Sequence, residues 1–290
     1  MTTPATPPPL PQAPQTYRQP PQGWEGGGLY SSPIPVRSPG LGDAIASEWT
    51  KIRSVRSTMW TLGVMIVLLL AVGLLAAFAV SSSDAELDGT PVLSLGFFGV
   101  LLGSICVITL GVLTIASEYG TGMIRTTLTA CPSRARILVA KSVVFFLLSF
   151  TITTVTTGIV GVLQTAMLDG GTPTADDWLR STVGVGLYVA MLGLLSLALG
   201  ALIRHSAGAI TIMIAVVLLP LVLAMFMFSS SLSGLQQALF EYSIPNQLGA
   251  LYDASMTTSG PSGWEPLWVI LGVTAVAMAG AFVSLDRRDV

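Results

Sequence analysis

Residues 58–80 read TMWTLGVMIVLLLAVGLLAAFAV, with no ionisable side chain among them. A helix needs about 20 mainly apolar residues to cross the hydrocarbon of a bilayer, and this block exceeds that length. Hydrocarbon offers no water to backbone N–H and C=O groups, so the segment must satisfy them internally, which a helix does. Five more uncharged blocks follow at 92–117, 142–168, 181–203, 207–228 and 266–285. Their length and weak alternation argue against the strands of a transmembrane β-barrel. Hydrophobic residues make up 52% of the chain and charged residues 10%, with a mean hydropathy of +0.75. A soluble domain carries about 25% charged residues. The fold class is therefore an all-α membrane protein with six transmembrane helices. Ala77-Phe78-Ala79 resembles a signal-cleavage site, but the apolar block is long and 57 residues precede it, so it reads as an uncleaved anchor.

Lys and Arg set the orientation. Arg18, Arg37, Lys51, Arg53 and Arg56 precede the first span. Arg125, Arg134, Arg136 and Lys141 lie between spans two and three, Arg204 lies between four and five, and Arg287 and Arg288 follow six. With six spans, those twelve of the thirteen basic residues fall on one side and only Arg180 on the other. The positive-inside rule then puts both termini in the cytoplasm. The other side collects Asp84, Glu86, Asp88, Asp169, Asp176, Asp177, Glu241, Asp253 and Glu265. The expected location is a bacterial inner (plasma) membrane, multi-pass.

Residues 1–40 are rich in Pro, Gln, Gly and Ser and read as a disordered cytoplasmic tail; residues 41–290 form the membrane domain. In 41–59, Ile45, Trp49, Ile52 and Val55 recur every three or four residues, with Glu48, Lys51, Arg53 and Arg56 between them. That pattern predicts an amphipathic helix lying in the membrane interface, its basic residues toward lipid headgroups. Residues 117–141 read SEYGTGMIRTTLTACPSRARILVAK. Gly120 and Gly122 permit a tight reversal, residues 123–128 can form a short helix, and Ser133 after Pro132 is a candidate N-cap for span three. Glu118 is expected to pair with Arg125 or Arg134. In 229–263, Leu235, Leu239 and Tyr242, then Leu248, Leu251 and Tyr252 beyond Pro245, predict two short helices dipping into the outer interface.

Small residues mark close helix packing: Gly99 and Gly103 in span two, Gly186, Ala190, Gly193 and Gly200 in span four, and Gly272, Ala275 and Ala279 in span six. Span three carries Thr151, Thr153, Thr154, Thr156, Thr157 and Gln164. Their hydroxyls either bond back to their own helix or line a polar pathway, for which Thr153, Thr157 and Gln164 are the candidates. No Asp, Glu, Lys or Arg sits at the centre of a span, which argues against an ion-coupled carrier and against a channel with charged rings. GxxxxGK[ST], GxSxG and HExxH are missing. One histidine, His205, and two distant cysteines, Cys106 and Cys131, give neither a metal set nor a disulfide framework. Nothing basic enough to hold nucleic acid is present. The chain reads as a non-enzyme.

Two stretches carry a family resemblance. One is Ser47-Glu48-Trp49-Thr50-Lys51-Ile52-Arg53-Ser54, then Arg56-Ser57-Thr58. The other is Ser117-Glu118-Tyr119-Gly120-Thr121-Gly122-Met123-Ile124-Arg125, then Leu128, Pro132-Ser133-Arg134 and Lys141, with a weaker match at Ser243-Ile244-Pro245-Asn246. Over residues 41–290 the chain resembles the type-2 membrane permeases of bacterial ATP-binding-cassette exporters. The resemblance implies an N-terminal elbow helix bearing Glu48, Trp49, Lys51, Arg53 and Arg56. It also implies a cytoplasmic coupling helix between spans two and three, where Tyr119, Gly120, Met123, Ile124, Arg125 and Leu128 meet an ATPase and Glu118, Pro132, Ser133 and Arg134 shape the loop. The implied partners are two copies of a separate ATPase, which binds the ATP and magnesium, and a second permease copy, together with the lipid bilayer. No cofactor is expected in this chain. A non-transporting sensor or immunity component on the same scaffold is the alternative.

Overall fold

Span three starts earlier than its charges predict. In the computed structural model, which describes residues 40–83, 89–131, 133–168 and 171–287, its helix begins at Arg134 rather than at residue 142. It incorporates Arg136 and Lys141 because Lys141 is neutralised by partners described below. The residues read as a tail before Gly40, as well as Pro132, Asp84, Glu86, Asp88, Asp169 and Arg288, lie outside the described residues.

Every regular element among the described residues is helical. In chain order they are α1 (Leu41–Ser54), α2 (Arg56–Ser82), a 3₁₀ turn (Val92–Gly96) leading into α3 (Phe97–Gly120), α4 (Met123–Ala130), α5 (Arg134–Met167), α6 (Ala175–Leu179), a π-helical turn (Arg180–Gly184) and α7 (Val185–Ile203). Then come α8 (Ser206–Met225), a 3₁₀ turn (Ser230–Leu232), α9 (Ser233–Glu241), α10 (Ile244–Leu251) and α11 (Glu265–Arg287). Six helical stretches are long and apolar enough to cross a membrane: Arg56–Ser82, Val92–Gly120, Arg134–Met167, Ala175–Ile203, Ser206–Met225 and Glu265–Arg287. This is the make-up of a multi-pass membrane protein.

α7 is the hub, packed against α3, α5, α8 and α11. Its glycines explain how. A Cβ on Gly200 would stand 3.0 Å from the Val112 carbonyl oxygen, and one on Gly111 of α3 would stand 2.5 Å from that of Gly193. Gly186 abuts Thr154 of α5. Gly99 and Gly103 seat against Leu69 of α2. Dispersion is the main attraction available between helices in lipid, so side-chain-free strips that let backbones approach are where it is gained. The strip in span six behaves differently. Gly272, Ala275 and Ala279 are exposed, and a Cβ on Gly272 would meet nothing within 4 Å. Their packing role is not fulfilled among the described residues.

The two short helices expected after α8 are present, and α10 departs from its expected position. α9 lies over α8, where Gln236 Nε2 donates to the Ala224 carbonyl at 3.0 Å. α10 is buried along its whole length instead of dipping into an interface. It contacts α3, α7, α8 and α11. Ser243 caps it, and Pro245 sits in its first turn, where a missing N–H costs nothing. Asn246 stitches the region together: its Nδ2 donates to the Glu241 carbonyl at 3.1 Å, and its Oδ1 accepts from Met256 N at 2.7 Å.

Candidate functional site

α1 has an unusual packing face. Ile45 and Ile52 are half-buried as the periodicity implies, but Trp49 and Val55 are exposed, and the one fully buried residue on the helix is Glu48, 5% exposed. α1 docks this face on α5 and, less extensively, on α2. An isolated carboxylate there would cost several kcal/mol in lost hydration. Lys141, about two helical turns into α5, answers it from inside: its Nζ donates to Glu48 Oε2 at 2.8 Å and to Glu118 Oε1 at 2.7 Å. Lys51 closes the circuit, its Nζ lying 2.8 Å from Glu48 Oε1 and 3.0 Å from Glu118 Oε1. Two carboxylates and two ammonium groups thus alternate in a neutral ring joining α1, the last turn of α3 and the start of α5. Lys141 is only 1% exposed.

This corrects two expectations. Glu118 pairs with Lys51 and Lys141, not with Arg125 or Arg134, because the ammonium groups of α1 and α5 reach its carboxylate. Lys51 turns into the ring instead of toward headgroups, whereas Arg53 and Arg56 are exposed. Burial alone would lower the Lys51 pKa, but hydrogen bonds to Glu48 and Glu118 and their negative charges outweigh it and hold the ammonium above its usual range. The four residues are 67 to 93 positions apart across the α1 contacts, so no local pattern points to them. The one signal in sequence is that each is an ionisable residue at the same end of an apolar helix, with signs that sum to zero.

α4 projects beside the ring. Gly122, at φ 73°, makes the reversal between α3 and α4 in a left-handed conformation that favours glycine; Gly120 is the last helical residue of α3. Ile124, expected at a partner surface, is instead turned inward and 5% exposed, pinning α4 to the body. Met123, Arg125, Thr126 and Thr129 face outward and Leu128 is half-buried. Beyond α4, the Ser133 hydroxyl caps α5 by accepting from Arg136 N at 3.4 Å. Arg134 Nη1 donates to the Leu285 carbonyl at 2.7 Å, tying this region to the end of α11. Arg204 lies over the half-buried Tyr119 ring, 4.9 Å from its centroid. Between α1 and α4 lies a cleft of about 350 Å³, lined by Asp43, Ser47, Met123, Thr127 and Cys131 and floored by Glu48 and Lys51 of the ring.

The span-three candidates sit elsewhere. Thr157 donates to the Thr153 carbonyl at 2.9 Å, the local back-bonding expected of a buried hydroxyl. Gln164, 0% exposed, donates from Nε2 to the Gly73 carbonyl at 3.0 Å, holding α5 to α2.

Residues 62–290 match a family model described as "Protein of unknown function (DUF2705)". The match takes in Glu118 and Lys141 but not Glu48 and Lys51 on α1. No curated protein matches the chain. With most of its length covered, the chain belongs to the DUF2705 family.

Proposed function

We propose that this DUF2705 chain is the membrane-spanning permease subunit of an ATP-driven exporter of the type-2 ATP-binding-cassette kind, set in a bacterial plasma membrane with both termini in the cytoplasm. One observation carries the reading. A short helix with an exposed face, α4, sits between the second and third long helices and beside a buried ion ring that fastens α1 to both of them. On this reading α1 is the elbow helix and α4 the coupling helix. Met123 and Arg125 are its contact residues, and Ile124 is the anchor beneath them. A separate ATPase, in two copies, binds ATP and magnesium. When its nucleotide sites close, a push on α4 passes through Ile124 into α3 and α5 and biases the bundle between two packings, a rigid-body switch. The exposed Gly272, Ala275 and Ala279 face of α11 suits close approach by a second permease copy.

The test is co-purification of the full chain from its own membranes with any ATPase bound to it, followed by ATP hydrolysis in lipid vesicles. The Met123→Asp, Arg125→Glu double variant is expected to lose the ATPase while keeping the thermal stability of the parent. Retention of the ATPase by that variant would overturn the placement of the contact. ATP hydrolysis that no exported compound stimulates would favour a sensor over a transporter.

A further inference from the structure

At the end of the bundle away from the ion ring there is a second cavity, of about 230 Å³, between the start of α3, the α6–α7 junction and the end of α10. Its walls are apolar, chiefly Pro91, Leu93, Pro173 and Leu251, with the Tyr252 side chain among them. Asp177, Arg180 and Asp253 stand at its polar side. Arg180 is heavily committed: its Nε lies 2.8 Å from Asp176 Oδ2 and its Nη2 2.7 Å from Asp177 Oδ1. Asp177 is saturated in turn, since its Oδ2 accepts from the Thr174 amide and hydroxyl, both at 2.8 Å. Asp253 is different. It stands 3.7 Å from Arg180 Nη1, its side chain is 70% exposed, and it holds a φ of 57° that non-glycine residues seldom adopt. Among the described residues, three carboxylates around one guanidinium leave negative charge in surplus, and Asp253 is the group least tied down.

A second, much smaller space adjoins the same wall. Leu93, Ser181 and Tyr252 also border a void of about 10 Å³ that reaches Thr157 and Gln164. Gln164 is 0% exposed with its Nε2 spent on Gly73, yet its Oε1 has no hydrogen-bond partner. A buried carbonyl oxygen without a donor is costly, and here it borders a space that shares Leu93, Ser181 and Tyr252 with the charged cavity.

We infer that this cavity is a binding site for a small arylalkylamine-type cation. Its ammonium sits between Asp253 and the Tyr252 ring, its apolar body lies against Leu93 and the prolines, and a hydrogen-bond donor at its far end is offered to Gln164 Oε1. The volume is below the roughly 300–1,000 Å³ of drug-sized pockets, which limits the ligand to a compact one. A cation beside an aromatic face gains further when partly desolvated. The site lies within one chain and is independent of whether that chain couples to an ATPase.

The experiment uses the full chain in lipid nanodiscs, with both native cysteines replaced (Cys106→Ser, Cys131→Ser) and a single reporter, Ser181→Cys, at the junction of the two spaces. Thr172→Cys at the mouth is a second reporter in case the first fails to fold. The cationic trimethylammonium-ethyl methanethiosulfonate is expected to label about ten-fold or more faster than the anionic sulfonatoethyl reagent, because surplus negative charge concentrates cations locally. Tyramine should protect the cysteine. Asp253→Asn should reduce the charge preference and abolish the protection, and Gln164→Leu should weaken protection by tyramine more than by phenethylamine, which lacks the hydroxyl. No labelling at either reporter, equal rates for the two reagents, or full protection in Asp253→Asn would each overturn the inference.

Discussion

Lys141 is the residue on which the ring depends most, because it is sealed from water and touches both glutamates. Replacing it with Met would leave Glu48 and Glu118 sharing only the partly exposed Lys51. Removing one partner of a buried ion pair typically costs about 3–5 kcal/mol, mostly from the charge left behind. Lys141→Met should therefore lower thermal stability in detergent sharply, and adding Glu118→Gln should recover part of the loss. A flat melting temperature in the single variant would mean the ring contributes little. Lys51 sets the alkaline limit. Its pKa is raised above the usual 10.5 in the folded chain, so its contribution is fully present below that value and is lost as pH climbs through the higher, folded one. Melting temperature should fall in that alkaline range, and Lys51→Arg should move the fall upward. Sequence showed the need for such partners at Glu118 but not their identity. Glu48 and Lys141 are 93 positions apart, and only the docking of α1 brings them together.

The long helices were legible because transfer into lipid imposes one requirement on every residue of a span, so length and absence of charge suffice. Their mutual arrangement was legible only where glycine recurs. The small residues of α7 imply packing, and its glycines do abut α3 and α5; the equivalent strip of α11 has no neighbour among the described residues, since a small residue records that something comes close but not what. Gly111→Ala would push a Cβ to within 2.5 Å of the Gly193 carbonyl oxygen, a backbone atom that cannot swing aside. Overpacking of this kind costs about 1–3 kcal/mol. Gly272→Ala, with nothing within 4 Å, should leave the melting temperature of the isolated chain unchanged, so the pair measured side by side separates internal packing from an open face. α10 lies in the core rather than at the interface for a related reason. Its apolar spacing suits an interface or a core equally, and only Asn246, bonded to segments on both sides, distinguishes them.

At the scale of the whole molecule, charge orders the two ends. The side holding α4 carries most of the basic residues, and the proposed orientation predicts what an impermeant maleimide reaches in intact cells. Cys131 is 8% exposed and a poor reporter. Thr126→Cys on α4 and Ser255→Cys at the opposite end are both exposed positions. In a background without native cysteines, Ser255→Cys should be labelled and Thr126→Cys should not until the cells are opened; the reverse pattern would invert the molecule. Finally, α5 has 34 residues. At 1.5 Å per residue it is a rod of about 51 Å, whereas the hydrocarbon slab is about 30 Å thick. Roughly 20 Å must overhang, and Lys141 lies near that overhanging end. On the proposed coupling reading such a shaft would work as a lever whose fulcrum is the bilayer: a few degrees of rocking within the lipid would become a swing of several ångströms at the tip, and a modest shove on the tip would be geared down into a small, forceful displacement among the packed glycines.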